Sequence, residues 1–138
     1  MMMKILVFLS VLTLLPIYTT CFAESEDYIQ YRQHIMEGLS SNLKASSMIL
    51  KGKIKTDISG HTASILDSAT RLSELFPEGS DFGDTEAKAE IWEQEEKFKT
   101  ELNKFKKAAI DFNKSPSMNT LSAIGKSCKS CHKAFREK

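Results

Sequence analysis

The residues of this chain best suited to chemistry are two cysteines and a histidine near its C-terminal end, Cys128, Cys131 and His132. The two thiols are three residues apart, and the imidazole follows the second thiol directly. This C-x-x-C-H spacing is the attachment motif for a c-type haem. Each sulfur can form a thioether with one vinyl group of the porphyrin, and the histidine then binds the iron from one face. The motif therefore predicts one haem c, attached through Cys128 and Cys131, with His132 as the proximal ligand.

Two other functions of a C-x-x-C pair are open at this stage. A thioredoxin-like redox pair follows a strand and begins a helix in a βαβ pattern, but no segment here has the pattern of a strand. A structural zinc site needs four ligands. His34 and His61 could serve as distant ligands, but the chain has no second cysteine cluster. Haem attachment is therefore the favoured interpretation.

The first 23 residues differ in character from the rest of the 138-residue chain. One lysine precedes an almost wholly apolar run from Ile5 to Ile17, and the segment ends with Cys21, Phe22 and Ala23. This is the pattern of a secretory signal peptide, and the run is shorter than the ~20 residues of a membrane span. We expect cleavage after Ala23, which leaves one domain over residues 24–138. Lipidation of Cys21 is the alternative, although the preceding residues lack a lipobox.

Export agrees with the haem motif, because c-type haem is attached outside the cytoplasm. We therefore expect a periplasmic protein of a Gram-negative bacterium. Removal of the signal peptide leaves 18 basic and 18 acidic residues, so no basic excess indicates a nucleic-acid partner. The sequence contains no set of residues that resembles a catalytic acid–base or nucleophilic site, so we do not predict an enzyme. A membrane is expected as a partner only through docking to respiratory complexes.

Apolar residues recur at helical spacing in four segments of the mature chain. The predicted helices cover Asp27–Lys51, Asp57–Phe76, Thr85 (or Asp84) to Asn113, and a last segment that starts at Ser115-Pro116-Ser117, with the proline near its first turn, and runs through the haem motif. Glycines and prolines separate them. In the third helix, glutamates lie toward the start and lysines toward the end, which complements the helix dipole. Four amphipathic helices with short connections predict an all-α fold, an antiparallel four-helix bundle with covalently bound haem.

A C-terminal haem motif on a four-helix pattern resembles the class II c-type cytochromes, which are the cytochrome c-prime group and its low-spin relatives. The resemblance rests on Gly125–Arg136, on Tyr31-Arg32-Gln33, and on Ile91-Trp92 followed by Phe98-Lys99. It implies that the residue five positions after Tyr31 faces the distal side of the iron. In typical cytochromes c-prime this residue is apolar, so the iron is five-coordinate and open to small gases. In the low-spin branch it is a methionine that binds the iron.

Met36 occupies that position here, so the resemblance implies iron ligation by His132 and Met36. A six-coordinate haem predicts a carrier of single electrons whose redox partner protein the sequence does not identify. The alternative is a binder or sensor of nitric oxide or carbon monoxide, with an open or displaceable distal site. Met48 and Met118 are disfavoured as ligands, and His34 lies about 200° around the helix from Met36. A haem-free helical module is the third hypothesis.

Three more residues are expected at the haem. Arg32 lies four residues before Met36 and Arg136 four after His132, so each shares a helix face with a predicted ligand. The family carries arginine at both positions, and arginine pairs with carboxylates in a fork geometry. Both arginines are therefore expected to contact the haem propionates or to line the pocket. Gly125 costs its helix about 1 kcal/mol, and we expect it there because the porphyrin approaches the backbone closely.

Other side chains are assigned to the surface or the core. The lysines around the haem motif are either a solvated helix end or a docking patch for an acidic redox partner: Lys126, Lys129, Lys133 and Lys138. Class II relatives often dimerise through their first two helices, and the apolar stripes leave room for such a homodimer. The large aromatic residues of the third helix are expected in the core and not at the haem: Trp92, Phe98, Phe105 and Phe112.

Overall fold

The computed structural model describes the backbone from residue 17 and the side chains from residue 25 to the C-terminal end. Most of the predicted signal peptide, and the side chain of Cys21, lie outside the described residues. Within them the chain is all-helical, with α1 (Ile17–Leu50), α2 (Ser59–Arg71), α3 (Glu90–Glu93), α4 (Glu95–Lys114) and α5 (Met118–Phe135). A 3₁₀ turn, Leu72–Leu75, continues α2. The prediction of an all-α bundle is confirmed, and no described helix is long and apolar enough to cross a membrane.

One apolar core joins the four long helices. Helix α4 packs most closely on α5 and on α2, and α2 also packs on α1. The core includes Leu39 of α1, Ile65 of α2, Phe112 of α4 and Ile124 of α5. Full burial of each such side chain contributes about 1.5–3 kcal/mol. Helix α1 makes few contacts with α5, and this separation leaves room between them.

Two helix boundaries follow from local chemistry. Gly52 has a φ of +68°, a conformation that glycine adopts without steric cost, and it ends α1 close to the predicted position. Helix α5 begins at a capping box, in which the Ser117 hydroxyl accepts from the Thr120 amide and the Thr120 hydroxyl accepts from the Ser117 amide. This cap satisfies orphan amides of the first turn. It therefore sets the start of the helix that carries both cysteines.

The prediction of one continuous third helix is wrong at its N-terminal end. The residues before α3 are extended because they pair with the end of the chain. The Lys88 amide donates to the Phe135 carbonyl at 3.0 Å, and the Glu137 amide donates to the Glu86 carbonyl at 2.7 Å. Helical spacing does not reveal this pairing, since the partners are about fifty residues apart in sequence.

The helical segment that follows is also interrupted. Gln94, with φ −122° and ψ 48°, separates the single turn of α3 from α4. The Trp92 indole N–H donates to the carbonyls of Phe76 and Pro77, at 3.2 and 3.0 Å. These bonds hold α3 against the end of the 3₁₀ turn. The long predicted helix is therefore an extended segment, a turn and a 20-residue helix.

Candidate cofactor site

A cavity of about 670 Å³ lies between α1, α4 and α5. Its wall is mostly apolar and includes Leu39 and Leu43 from α1 and Leu102 and Phe105 from α4. Pockets that hold cofactors usually measure roughly 300–1,000 Å³ and are lined mainly by apolar side chains. The room between α1 and α5 is therefore of a size and character that suits a large apolar cofactor.

Cys128 and Cys131 line this cavity as free thiols, one turn apart on α5. Residues three apart on a helix share a face, which aims both sulfurs into the same space. Burial raises the pKa of the Cys128 thiol. Burial, followed by the charges of Glu101 and Cys128, raises the pKa of Cys131 to about 11. Both groups are therefore protonated at neutral pH, which is the S–H form that adds across a vinyl double bond.

His132 lines the same cavity at its rim. Partial burial lowers the pKa of the imidazole, the positive charge of Arg136 lowers it further, and Glu86 acts in the opposite direction. An imidazole that is neutral at pH 7 carries the lone pair that a metal ion requires. The position and the pKa of His132 thus suit a metal ligand.

Met36 reaches the cavity from α1. Its side chain is half-buried and packs against the apolar core. Leu39 and Leu43 lie one and two turns further along the same face and line the cavity with it. The structure therefore brings Met36 into the same space as the two thiols and His132. The other methionines considered as ligands, Met48 and Met118, are exposed and do not line it.

The other two histidines considered as ligands lie outside the cavity. His34 is exposed, and its Nδ1 lies 3.4 Å from Glu37 Oε2. His61 Nδ1 lies 2.8 Å from Asn42 Oδ1. Neither ring lines the space that holds the thiols. A bis-histidine site therefore has no geometric support.

Arg32 lines the cavity, but its guanidinium has other partners than those predicted. Nη1 donates to the Leu75 carbonyl and the Ser80 hydroxyl, and Nη2 donates to the Ser80 carbonyl and the Thr85 hydroxyl, at 2.8–3.2 Å. All four N–H groups of the two terminal nitrogens are used. A bond from either nitrogen to a propionate would have to replace one of them.

Arg136 and Gly125 differ in their relation to the cavity. Arg136 lines it at the rim, where its guanidinium forms an ion pair with Glu86. Gly125 is exposed and is not part of the cavity wall, and a Cβ added there would meet nothing within 4 Å. The expectation that Gly125 admits a close approach of the porphyrin therefore has no support from its position.

An aromatic group at the end of the cavity was not predicted. The Phe98 ring makes edge-to-face contacts with Phe76 and Phe135, with centroids 4.9 and 5.2 Å apart. All three rings line the cavity, as does Phe105. Phe98 and Phe105 were expected in the core alone, and they are both buried and part of the cavity wall. Their helical spacing identified an inward face but does not distinguish packed core from the wall of a cavity.

Glu101 is a further residue of the cavity wall that the sequence analysis did not predict. Its side chain is only 10% exposed, and its Oε1 accepts a 2.6 Å hydrogen bond from Lys104. That bond and the nearby Ser130 hydroxyl lower the pKa of the carboxyl group. Oε2 is buried without a hydrogen bond of standard geometry. Among the carboxylates that line the cavity, Glu101 is the buried one, and its charge acts on Cys131. The surrounding residues have the pattern of an ordinary solvated helix face.

The donor set fits a c-type haem and neither of the two alternatives. Among the residues from 25 onward, no group of three His, Cys, Asp or Glu side chains is placed to hold a bare metal ion. No β-strand precedes the cysteine pair in the described part of the chain, as a thioredoxin-like site would need. Two protonated thiols, an adjacent imidazole and an apolar cavity define the class: a c-type haem protein built on a helical bundle.

Comparisons with known proteins identify the family. The profile described as Cytochrome C' matches residues 27–136. A cytochrome c' from Rhodospirillum rubrum is 32% identical, over 91% of this chain and 95% of that protein. The solved cytochrome c prime from Shewanella frigidimarina has a TM-score of 0.72 at 31% identity, over 83% of this chain and 97% of that one. The chain belongs to the cytochrome c' family, whose members bind haem c.

A further solved relative shares the fold. It is the nitric oxide complex of a point mutant of cytochrome c prime from Alcaligenes xylosoxidans, with a TM-score of 0.75 at 23% identity. The match covers 83% of this chain and 96% of that one.

Proposed function

We propose that this protein holds haem c through thioethers from Cys128 and Cys131, with His132 on the iron, and that it binds nitric oxide or carbon monoxide on the side of Met36. The observation that carries the proposal is the presence of all four side chains in one cavity. The haem, when bound, supplies an iron that takes up small gases and exchanges single electrons. Membership of the cytochrome c' family and the nitric oxide complex of the Alcaligenes xylosoxidans relative support this choice of gases.

The chain's own residues determine what can reach the iron. Leu39 and Leu43 extend the apolar wall beside Met36, and an apolar wall disfavours charged ligands, because an unpaired charge is costly to bury. A neutral diatomic gas does not carry this cost. The Met36 side chain has three rotatable bonds and a polarisable thioether, and it is only half-buried. We therefore propose that Met36 is a displaceable occupant of the gas site.

An electron carrier is the second candidate. A permanent bond from Met36 would give the His132 and Met36 ligation that the sequence predicted, and a thioether ligand raises the reduction potential. The observation that favours this candidate is again the presence of Met36 in the cavity. A thioether can bind iron, whereas the apolar residue typical of this position in cytochromes c-prime cannot. The two candidates differ only in whether the thioether leaves when a gas arrives.

Spectra of the purified holoprotein separate the two candidates. We expect the ferrous wild type to bind carbon monoxide, and Met36→Leu to bind it at least about tenfold faster, because no ligand must leave first. Met48→Leu is the matched control, since Met48 is an exposed methionine on the same helix, and it should behave as wild type. Carbon monoxide binding that occurs only in Met36→Leu would show a permanent ligand and an electron carrier.

Two other results would change the proposal in different ways. Identical spectra and rates in wild type and Met36→Leu would show that Met36 does not bind the iron and that the gas site is open. Absence of covalent haem from wild type, made with a haem-attachment system, would favour the haem-free helical module. A variant with both cysteines changed to alanine serves as the negative control for covalent haem stain.

We also propose that the protein is exported to the periplasm. The pattern of residues 1–23 and the c-type haem motif support this location. We propose no catalytic reaction. The homodimer through the first two helices stays a prediction.

A further inference from the structure

A second hollow of about 510 Å³ adjoins the cofactor cavity at the C-terminal end of α5. We call it the basic hollow, and it is lined by His132 and six charged residues: Lys88, Lys129, Lys133, Arg136, Glu137 and Lys138. His132 and Arg136 also line the cofactor cavity. These two side chains therefore form a wall that the basic hollow and the cofactor cavity share.

The positive charge of the basic hollow is largely uncompensated. Its wall carries five cationic side chains and one carboxylate. Arg136 pairs with Glu86, but none of the four lysines forms an ion pair within the described part of the chain. Three of the lysines on α4 differ, because Lys99, Lys104 and Lys107 each pair with a carboxylate of their own helix. The hollow thus presents cations that are free to meet an external anion.

We propose that the basic hollow is the docking site for an acidic surface of a redox protein. This inference rests on the proposed haem site, because His132 is the side chain that connects the hollow to the iron. Complementary charge steers such encounters and fixes their orientation. One electron then moves between the partner's redox cofactor and the iron, so that one is oxidised as the other is reduced. No bond is formed or broken, and no proton is transferred.

A protein fits the basic hollow better than a membrane surface does. Helices that lie on membranes combine basic residues with Trp, Phe or Leu side chains that enter the lipid. Among the described residues, none of the large exposed hydrophobic side chains lines the hollow. The surface is also concave, which suits a protruding acidic segment. Charge and shape therefore both favour carboxylates on a protein partner.

The first test measures binding without using the haem as a reporter. The probe is fluorescently labelled poly-L-glutamate, titrated with holoprotein at low salt and followed by anisotropy. The test variant carries Lys88→Glu and Lys133→Glu in the hollow. The matched control carries Lys51→Glu and Lys53→Glu, which change the net charge by the same amount. These two lysines follow the C-terminal end of α1, and the 19 residues from Arg32 to Lys51 correspond to about 29 Å along a helix. We expect the hollow variant to bind at least about tenfold more weakly and the control less than about twofold.

The second test measures electron exchange with small complexes of opposite charge. The ferrous holoprotein is oxidised by anionic hexacyanoferrate(III) or by cationic tris(phenanthroline)cobalt(III), and each oxidant gains one electron. We expect the hollow variant to react about tenfold more slowly with the anionic oxidant and faster with the cationic one. Added salt should reduce both differences. The optical spectrum checks that His132 is undisturbed in each variant.

Three results decide the outcome. Equal effects of the two double variants would overturn the proposal, because net charge alone would then explain them. Binding to phosphatidylserine vesicles without binding to poly-L-glutamate would also overturn it, in favour of a lipid surface. Absence of haem from the wild type would contradict the proposed function, whereas poly-L-glutamate binding that depends on Lys88 and Lys133 would still establish the basic hollow as a site for acidic chains.

Discussion

Arg32 on α1 donates two hydrogen bonds to Ser80, one to its hydroxyl at 3.2 Å and one to its carbonyl at 3.1 Å. The same guanidinium bonds Leu75 and Thr85, and it lies 4.7 Å from the centre of the Phe76 ring. Burial lowers the pKa of Arg32. The Arg32 side chain therefore connects α1 to three points between the end of the 3₁₀ turn and α3, beside the cofactor cavity.

Replacement of Arg32 by lysine is expected to lower the free energy of unfolding by about 2–4 kcal/mol. A lysine has three donors on one nitrogen, whereas two separate nitrogens of Arg32 bond four acceptor atoms on Leu75, Ser80 and Thr85, so lysine cannot replace all four bonds. Urea unfolding of the holoprotein at neutral pH measures the change. Gln33→Ala is the matched control, because Gln33 is exposed and makes one bond, to the Asp84 carbonyl. A wild-type midpoint for Arg32→Lys would show that the clamp does not stabilise the fold.

Glu101→Gln is expected to lower the stability at pH 7 by about 1–2 kcal/mol, because it removes the charge-assisted bond from Lys104. The pKa of Glu101 is below its ordinary value of 4.5. The ionised form therefore stabilises the folded state fully above pH 4.5, and this contribution is lost as the pH falls through the lower pKa of the folded protein. Urea midpoints at a series of pH values should show the two proteins converge below that range.

The control for Glu101 is Glu95→Gln. Glu95 accepts from Lys99 at 3.2 Å in a similar pair, but its side chain is 66% exposed. Exposed pairs of this kind contribute about 0.2–1 kcal/mol, so the variant should unfold close to wild type. A constant difference between wild type and Glu101→Gln from pH 7 down to pH 3 would contradict the assigned role of the carboxylate.

Phe98→Ala is expected to cost about 3–5 kcal/mol of unfolding free energy, because it removes a buried ring that contacts two others. Phe98 is 6% exposed and lies between Phe76 and Phe135. Urea unfolding is again the measurement. Ile110→Ala, at a position on the same helix that is 45% exposed, should change the stability by less than about 0.5 kcal/mol. A loss below about 1 kcal/mol for Phe98→Ala would indicate that the aromatic group contributes little packing energy.

The helix pattern could be predicted wherever local chemistry controls it. The stop at Gly52, and a start of the last helix at Ser115-Pro116-Ser117, follow from residue types within a few positions, and the capping box places that start at Ser117. The single long third helix was wrong because the Lys88 amide bonds the Phe135 carbonyl and Trp92 bonds the carbonyl of Phe76. These bonds join parts of the chain that no periodicity relates. The same limit applies to Phe98. Its position on the apolar face of the helix would be the same in a packed core and in the wall of a cavity.

The sequence by itself determined the chemical groups, because Cys128, Cys131 and His132 are neighbours on one helix and their spacing is a local property. It also determined the bundle, through apolar residues at helical intervals. Only the tertiary structure decided which distant residues share the cavity with them. It placed Glu101 there beside Met36, for which the family resemblance alone had implied this position, and it left Gly125 outside the cavity wall. It also showed that the guanidinium of Arg32 bonds the segment that contains Ser80. The physical reason is that helix packing and backbone pairing between distant segments set these distances.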